Sequence, residues 1–233
     1  MKVPIGLLAA AALFGCSGLD EGEAGVVGIE VRVPGPDTLE VGESIQLAAR
    51  PLDKNGDSVG TPVTWLSVDP TATIDAATGI LTGVSAGGAR VQATVGALGS
   101  ELITFAVIEP ADTLVLTSDS IITLPIDAVI SPALTARLDH FDPAGPVALA
   151  GRGVIYALTS PDPAAGTPTV LLQGNVVADT LQTGSDGNAT TALVVVTGSI
   201  PPDSAIVTVR AERTRGAAVP GSGQRFIIRF TTP

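Results

Sequence analysis

Thr78-Gly79-Ile80-Leu81-Thr82-Gly83-Val84-Ser85-Ala86-Gly87-Gly88-Ala89-Arg90-Val91-Gln92-Ala93-Thr94-Val95 is the stretch that decides the fold. Ala89, Val91, Ala93 and Val95 alternate with Arg90, Gln92 and Thr94. That period of two puts the apolar side chains on one face of a half-buried strand. Residues 79–84 form a second short strand, and no helical period follows Gly87. Outward from here the same grammar repeats. Ile29, Val31 and Val33 alternate with Glu30 and Arg32, and Ile45, Leu47 and Ala49 with Ser44, Gln46 and Arg50. Asn55-Gly56 sits in a polar turn where Gly accepts positive φ. Val63 and Trp65 share a face, and residues 102–108 close the series. Roughly seven strands in about eighty residues is the cadence of an immunoglobulin-like sandwich, with Trp65 filling the space between the sheets.

Composition narrows the function classes. The chain has 23 acids against 12 bases, which argues against a nucleic-acid partner because no cation excess is present to displace counterions from phosphate. One Cys excludes a disulfide framework or a Cys-based zinc site, and one His leaves few metal or triad options. Eighteen Pro spread along the length leave little room for long helices. At 45% apolar residues the chain is too hydrophobic for disorder. No cofactor, metal site or catalytic residue is expected.

The first fifteen residues read as a signal peptide. Lys2 supplies the positive start, and an almost unbroken apolar run to Phe14 is too short to span a bilayer. Leu13-Phe14-Gly15-Cys16 resembles the lipobox of bacterial lipoproteins, which implies acylation at Cys16 and a membrane partner through that lipid anchor. Several acyl chains on one residue meet the requirement for stable anchoring. Residues 16–25 follow as the lipidated Cys and an acidic, Gly-rich tether. Loss of residues 1–15 removes only Lys2 among the charged side chains, leaving 23 acids against 11 bases, a net charge of −12.

The ordered set Val41-Gly42-Glu43-Ser44-Ile45-Gln46-Leu47, Asn55-Gly56, Val63-Thr64-Trp65, Ser67-Val68-Asp69-Pro70 and Thr78-Gly79-Ile80-Leu81-Thr82-Gly83-Val84 resembles the bacterial immunoglobulin-like group 2 domain. The resemblance covers roughly residues 26–108 and implies a sandwich in an extracytoplasmic setting. The first domain is placed at residues 26–109 and the second at 110–233. In the second, Asp142-Pro143-Ala144-Gly145-Pro146-Val147, Val154-Ile155-Tyr156-Ala157-Leu158 and Ala205-Ile206-Val207-Thr208-Val209 resemble the invasin and intimin type of immunoglobulin-like domain, the group 1 relatives. Residues 113–124 fall outside that resemblance, as an added edge strand or an extended linker. The fold class is therefore all-β, two tandem immunoglobulin-like β-sandwiches after a lipoprotein signal peptide.

Several motifs have plainer readings. Gly83-Val84-Ser85-Ala86-Gly87 matches the nucleophile-elbow expression, but it leads into a strand and the only His lies in the other domain. His140 is read as an exposed turn residue at the end of a strand. Asp53, Asn55 and Asp57 lack the bidentate acid of a calcium loop and are read as a turn. Asn188-Ala189-Thr190 is a chance glycosylation sequon.

The basic residues are uneven. Residues 26–109 hold ten acids and four bases, and residues 110–233 hold ten acids and seven bases, five of the latter beyond position 209. If the last two strands pair, Arg210, Arg225 and Arg229 share their outer face, while Arg213 and Arg215 lie in the connecting loop. These five are the candidate ligand-binding residues, suited to a protein or an acidic glycan at the cell surface. The expectation is a non-enzymatic, lipid-anchored protein of the bacterial cell envelope acting in adhesion or surface binding. The alternative is a structural stalk or spacer without its own ligand.

Overall fold

The computed structural model describes residues 25–232. The segment expected to be a signal peptide, Cys16 and the expected tether up to Ala24 lie outside the described residues, as does Pro233. Among the described residues there is no α-helix. The first ten strands are β1 (Gly28–Arg32), β2 (Thr38–Glu40), β3 (Ser44–Gln46), β4 (Ala48–Leu52), β5 (Thr64–Ser67), β6 (Ala72–Ile74), β7 (Ile80–Gly83), β8 (Gly87–Val95), β9 (Leu98–Gly99) and β10 (Ile103–Ile108). The remaining eleven begin with β11 (Thr113–Leu116), β12 (Ile121–Pro125), β13 (Leu134–Asp142), β14 (Gly145–Ala148), β15 (Gly153–Ser160) and β16 (Val170–Leu172). They end with β17 (Ala178–Gln182), β18 (Asn188–Thr191), β19 (Leu193–Val195), β20 (Ser204–Ala211) and β21 (Gln224–Thr231).

In the first sandwich β2, β10, β8 and β5 pair in that order, with β9 also on β8. The strands β3, β7 and β6 form a second sheet, and β1 pairs with β4. The alternation in β8 works as its sequence requires. Ala89, Val91 and Ala93 are fully buried and meet Leu39, Leu81 and Phe105 in one core. Trp65 is 5% exposed and belongs to that core. Its indole also explains Gly79, where φ is +75° and an added Cβ would stand 2.6 Å from Trp65 Nε1. Beside it, the Asp75 carboxylate accepts from the backbone N–H of Thr78 and Ala77 and from the Thr78 hydroxyl. The Thr78 and Ala77 bonds hold this carboxyl below its usual range. The strands β2, β6 and β9 have no counterpart in the sequence reading; at two or three residues each they are too short to show a period.

The second sandwich has its own core, from Ala111 to Phe230. One sheet runs β12, β21, β20, β15, β17; another is centred on β13, which takes β11 on one edge and β14 and β18 along the other. The segment that fell outside the sequence resemblance is an edge strand of both. Residues of β11 pair antiparallel with β13, and then β12 crosses to run parallel to β21. The β13–β14 hairpin went unread because its Pro143, Gly145 and Pro146 look like an irregular turn. That hairpin corrects the reading of His140. It is not an exposed turn residue: it lies within β13 opposite Val147, with a side chain only 14% exposed.

Tyr156 ties the two layers together. Its ring is fully buried, its hydroxyl donates to the Ala189 carbonyl at 2.6 Å, and it accepts from the Ala136 N–H at 2.9 Å. Ala136 and Ala189 are themselves partners across β13 and β18. Burial pushes the phenol up to about 12 from 10.0, with the Ala136 N–H pulling slightly the other way. Below pH 10 both folded and unfolded chains carry a neutral phenol. Between 10 and 12 only the unfolded chain ionises, so stability is lost with rising pH, by roughly 2–3 kcal/mol at the upper end. Tyr156→Phe should abolish that alkaline loss while costing about 1–3 kcal/mol at neutral pH, because two buried backbone groups lose their partner. Urea unfolding of both proteins across this range checks it, and Tyr156 is the chain's single Tyr, so phenolate absorbance reports this residue alone. A phenol titrating near 10 in the folded protein contradicts the assignment.

Candidate functional site

Two groups of charged residues stand out, and the structure separates arginines that adjoin in sequence. The first group lies where the sandwiches meet. Glu40, the last residue of β2, is 1% exposed, held beneath the turn that leads to β3. Arg152, just before β15, donates from Nη2 to Glu40 Oε1 and from Nη1 to the Glu109 carbonyl at 3.0 Å. Thr214 N–H approaches the same Oε1 at 3.3 Å. Glu40 Oε2 has no hydrogen bond and faces Arg213 Nε at 3.7 Å. Arg213 also reaches Asp112 at 3.2 Å. Arg215 lies 3.3 Å from the Glu43 carboxylate and donates to the carbonyls of Pro34 and Pro36 at 2.8 and 3.0 Å. Glu43 in turn accepts the Glu40 N–H at 2.9 Å. His140 Nδ1 is 3.8 Å from Glu109 on the connector.

Arg213 and Arg215 therefore face the first sandwich, where carboxylates and strand-end carbonyls await them. The loop that carries them, residues 212–223, serves both domains. Its first half clamps domain one, and its second half folds back through Val219, which is 1% exposed, and Ser222, whose hydroxyl donates to the Ala211 carbonyl. Chemically the junction is a desolvated ion-pair network. Taking Glu40 out of water is costly, and the cost is offset only by keeping its cationic partners in place.

The second group is the outer face of the sheet β12-β21-β20-β15-β17. The two last strands pair antiparallel, with Arg225 opposite Thr208 and Arg229 opposite Ser204. Arg210 lies on β20 opposite Ile155 of β15. All three are exposed, while Val207, Val209, Phe226 and Ile228 point into the core. So the structure brings Arg210, Arg225 and Arg229 onto one face and leaves Arg213 and Arg215 off it.

Ser85 sits in a turn between β7 and β8, its N–H bonded to the Thr71 carbonyl at 3.2 Å, with no strand-to-helix elbow. The Asp53 carboxylate accepts the N–H of Asn55 and Asp57 at 2.9 and 2.8 Å, which closes the turn and keeps Asp53 below the usual carboxyl range. Among the described residues no group of His, Cys, Asp and Glu is placed to hold a metal. At the end of the second sandwich away from the junction, residues 126–130 and 194–199 line an open cleft of 490 Å³ beside the exposed Val129 and Ile130. No sequence signal marked that end, because its exposed apolar residues Val129 and Ile130 lie outside the strands and show no period.

Residues 31–105 match the family model of the bacterial Ig-like domain (group 2). No curated protein matches the chain. Among solved structures, the chain is similar to the Escherichia coli adhesin FdeC, at 16% identity over 87% of this chain and 64% of that one, with a TM-score of 0.44. It is also similar to the Yersinia pseudotuberculosis adhesin InvE, at 16% identity, 90% and 61% coverage and a TM-score of 0.37. Domains 4 and 5 of the S-layer protein SbsC match at 15% identity, 89% and 100% coverage and a TM-score of 0.34. The chain thus spans less than two thirds of either adhesin structure. Residues 31–105 are thus similar to the bacterial Ig-like domain of group 2, within an all-β chain of immunoglobulin-like sandwiches.

Proposed function

We propose that this is a non-enzymatic protein of the bacterial cell envelope, anchored by lipid on Cys16 and acting in adhesion or surface binding. Its second sandwich is read as an invasin- or intimin-type immunoglobulin-like domain. The observation that carries the reading is the junction. A buried Glu40 gripped by Arg152 and Arg213 couples the sandwiches across a connector of only a few residues. That arrangement suits a protein that must hold a contact face at a fixed attitude to its anchor. The spacer alternative gains from the same loop: residues 212–223 are employed at the junction, so their length alone does not call for a ligand.

Two experiments test this. Metabolic labelling with a palmitate analogue should tag the parent chain and fail with Cys16→Ser, and an unlabelled parent would overturn the anchor. The full chain, used as bait against envelope fractions and a glycan panel, should retain a saturable partner. A clean absence of partners would favour the spacer.

A further inference from the structure

We infer that the outer face of the β12-β21-β20-β15-β17 sheet is a docking surface for an acidic protein partner that offers carboxylates on either side of an aliphatic side chain. This rests on the surface-binding reading and supplies its partner's chemistry. Charge pairing is the first observation. Seven of the chain's ten arginines have a carboxylate partner, namely Arg32, Arg50, Arg90, Arg137, Arg152, Arg213 and Arg215. The three that have none among the described residues, Arg210, Arg225 and Arg229, all project from this one face. In a chain with 23 acids and 12 bases that coincidence needs a reason. None of the outward positions of these five strands is Asp or Glu, since Asp179 of β17 faces the other way with Leu181. Glu212 lies past the end of β20 and makes no ion pair with Arg210.

The pattern on the face is the second observation. Arg225, Ile227 and Arg229 occupy alternate positions of β21, which puts the two arginines about 13 Å apart along the strand. Between them a row of isoleucines crosses the sheet, with Ile121 on β12 and Ile206 on β20 flanking Ile227. Ile121 is 57% exposed. The rest of the face is mostly Thr and small residues, and it lacks Lys, Asp and Glu, the charged residues depleted from protein interface cores where Arg is enriched. An acidic polysaccharide could meet the arginines but would leave the isoleucine row without an apolar counterpart, and the face carries no aromatic ring for sugar stacking. Five strands at about 4.8 Å spacing make a patch some 24 Å wide, at the small end of specific interfaces.

The test uses the full chain in mild detergent and three probes. A synthetic peptide of Glu-Thr-Leu-Thr repeats places Glu, Leu and Glu on one face when extended. A peptide of Glu-Leu-Thr-Thr repeats keeps the Glu spacing but moves Leu to the opposite face, and polygalacturonate supplies acid alone. The parent should bind the first peptide roughly tenfold more tightly than either control, more weakly as salt rises. Ile227→Ser should bring the first peptide down to the second and leave polygalacturonate unchanged. The triple variant Arg210→Ser, Arg225→Ser, Arg229→Ser should lose all three probes at unchanged circular dichroism. No binding by the parent, equal binding of the three probes, or retained binding by the triple variant each overturns the proposal. Should the triple variant unfold, Ile227→Ser decides. Failure here leaves the palmitate labelling untouched, and envelope retention that persists in the triple variant would place the partner elsewhere on the chain.

Discussion

Arg152→Ala should cost about 3–5 kcal/mol of stability, the largest loss expected from any single side chain outside the apolar cores. The guanidinium does two jobs in one place. It neutralises Glu40, which is 1% exposed, and it satisfies the Glu109 carbonyl at 3.0 Å. Without it the carboxylate keeps only the Thr214 N–H at 3.3 Å and a guanidinium nitrogen at 3.7 Å. A charge stripped of its partner inside the protein costs far more than an exposed pair gains, which is why Arg32 and Glu30 on the surface of β1 make a useful contrast. Their separation should leave stability nearly unchanged, and high salt should erase even the small difference. Replacing both junction partners with aliphatic residues, Glu40→Leu with Arg152→Met, should recover most of the loss, since Arg213 retains Asp112. Chemical denaturation of the four proteins measures this. A loss below about 1 kcal/mol for Arg152→Ala would mean that water reaches Glu40.

Gly221→Ala should be nearly as damaging, at about 2–5 kcal/mol, for a steric reason. Gly221 has φ +91°, and an added Cβ would stand 2.1 Å from the Leu114 carbonyl oxygen. That oxygen is already the acceptor for Gln224 Nε2 at 2.8 Å, and Leu114 N–H donates to Pro220. The loop therefore lies directly against β11, and backbone must move to admit a methyl group. Part of the cost is the left-handed conformation, about 1–2 kcal/mol for a non-glycine residue. Gly216→Ala isolates that part, because Gly216 has φ +83° and open space around its Cβ position. The difference between the two variants in urea unfolding is the contribution of the contact with β11. Equal losses would show that the loop can lift away at no cost.

Strands long enough to display a period were legible in the sequence. The alternation in residues 89–95 is β8, and those in residues 205–212 and 225–231 lie within or at most one residue beyond β20 and β21. What failed to show were elements whose stabilisation comes from elsewhere. The three residues of β2 have no pattern of their own and are held by parallel pairing with β10. The hairpin of β14 hides behind two prolines. The candidate arginines divide on the same physical line. On β20 and β21 the side-chain period says which way Arg210, Arg225 and Arg229 point, and proximity in sequence is a sound guide. Beyond Ala211 the period ends: Arg215 goes to Glu43 on the other sandwich, and Arg213 lies between Glu40 there and Asp112 after the connector. Glu40 gave no local sign of burial at all. Its principal partner lies 112 residues away, and an acid before Val41-Gly42 reads as ordinary turn chemistry.

The parallel pairings have a mechanical consequence. In both sandwiches an early strand lies beside the last strand and runs in the same direction: β2 with β10, and β12 with β21. Tension between the ends of a sandwich then slides these two strands along each other, and every rung of the ladder resists together instead of opening one after another. The first sandwich sets three residue pairs against such a pull, Thr38 to Glu40 with Ala106 to Ile108. The second sets five, Ile121 to Pro125 with Ile227 to Thr231. A chain held at its amino end and tugged from beyond its second sandwich meets the shorter ladder nearest the point of attachment.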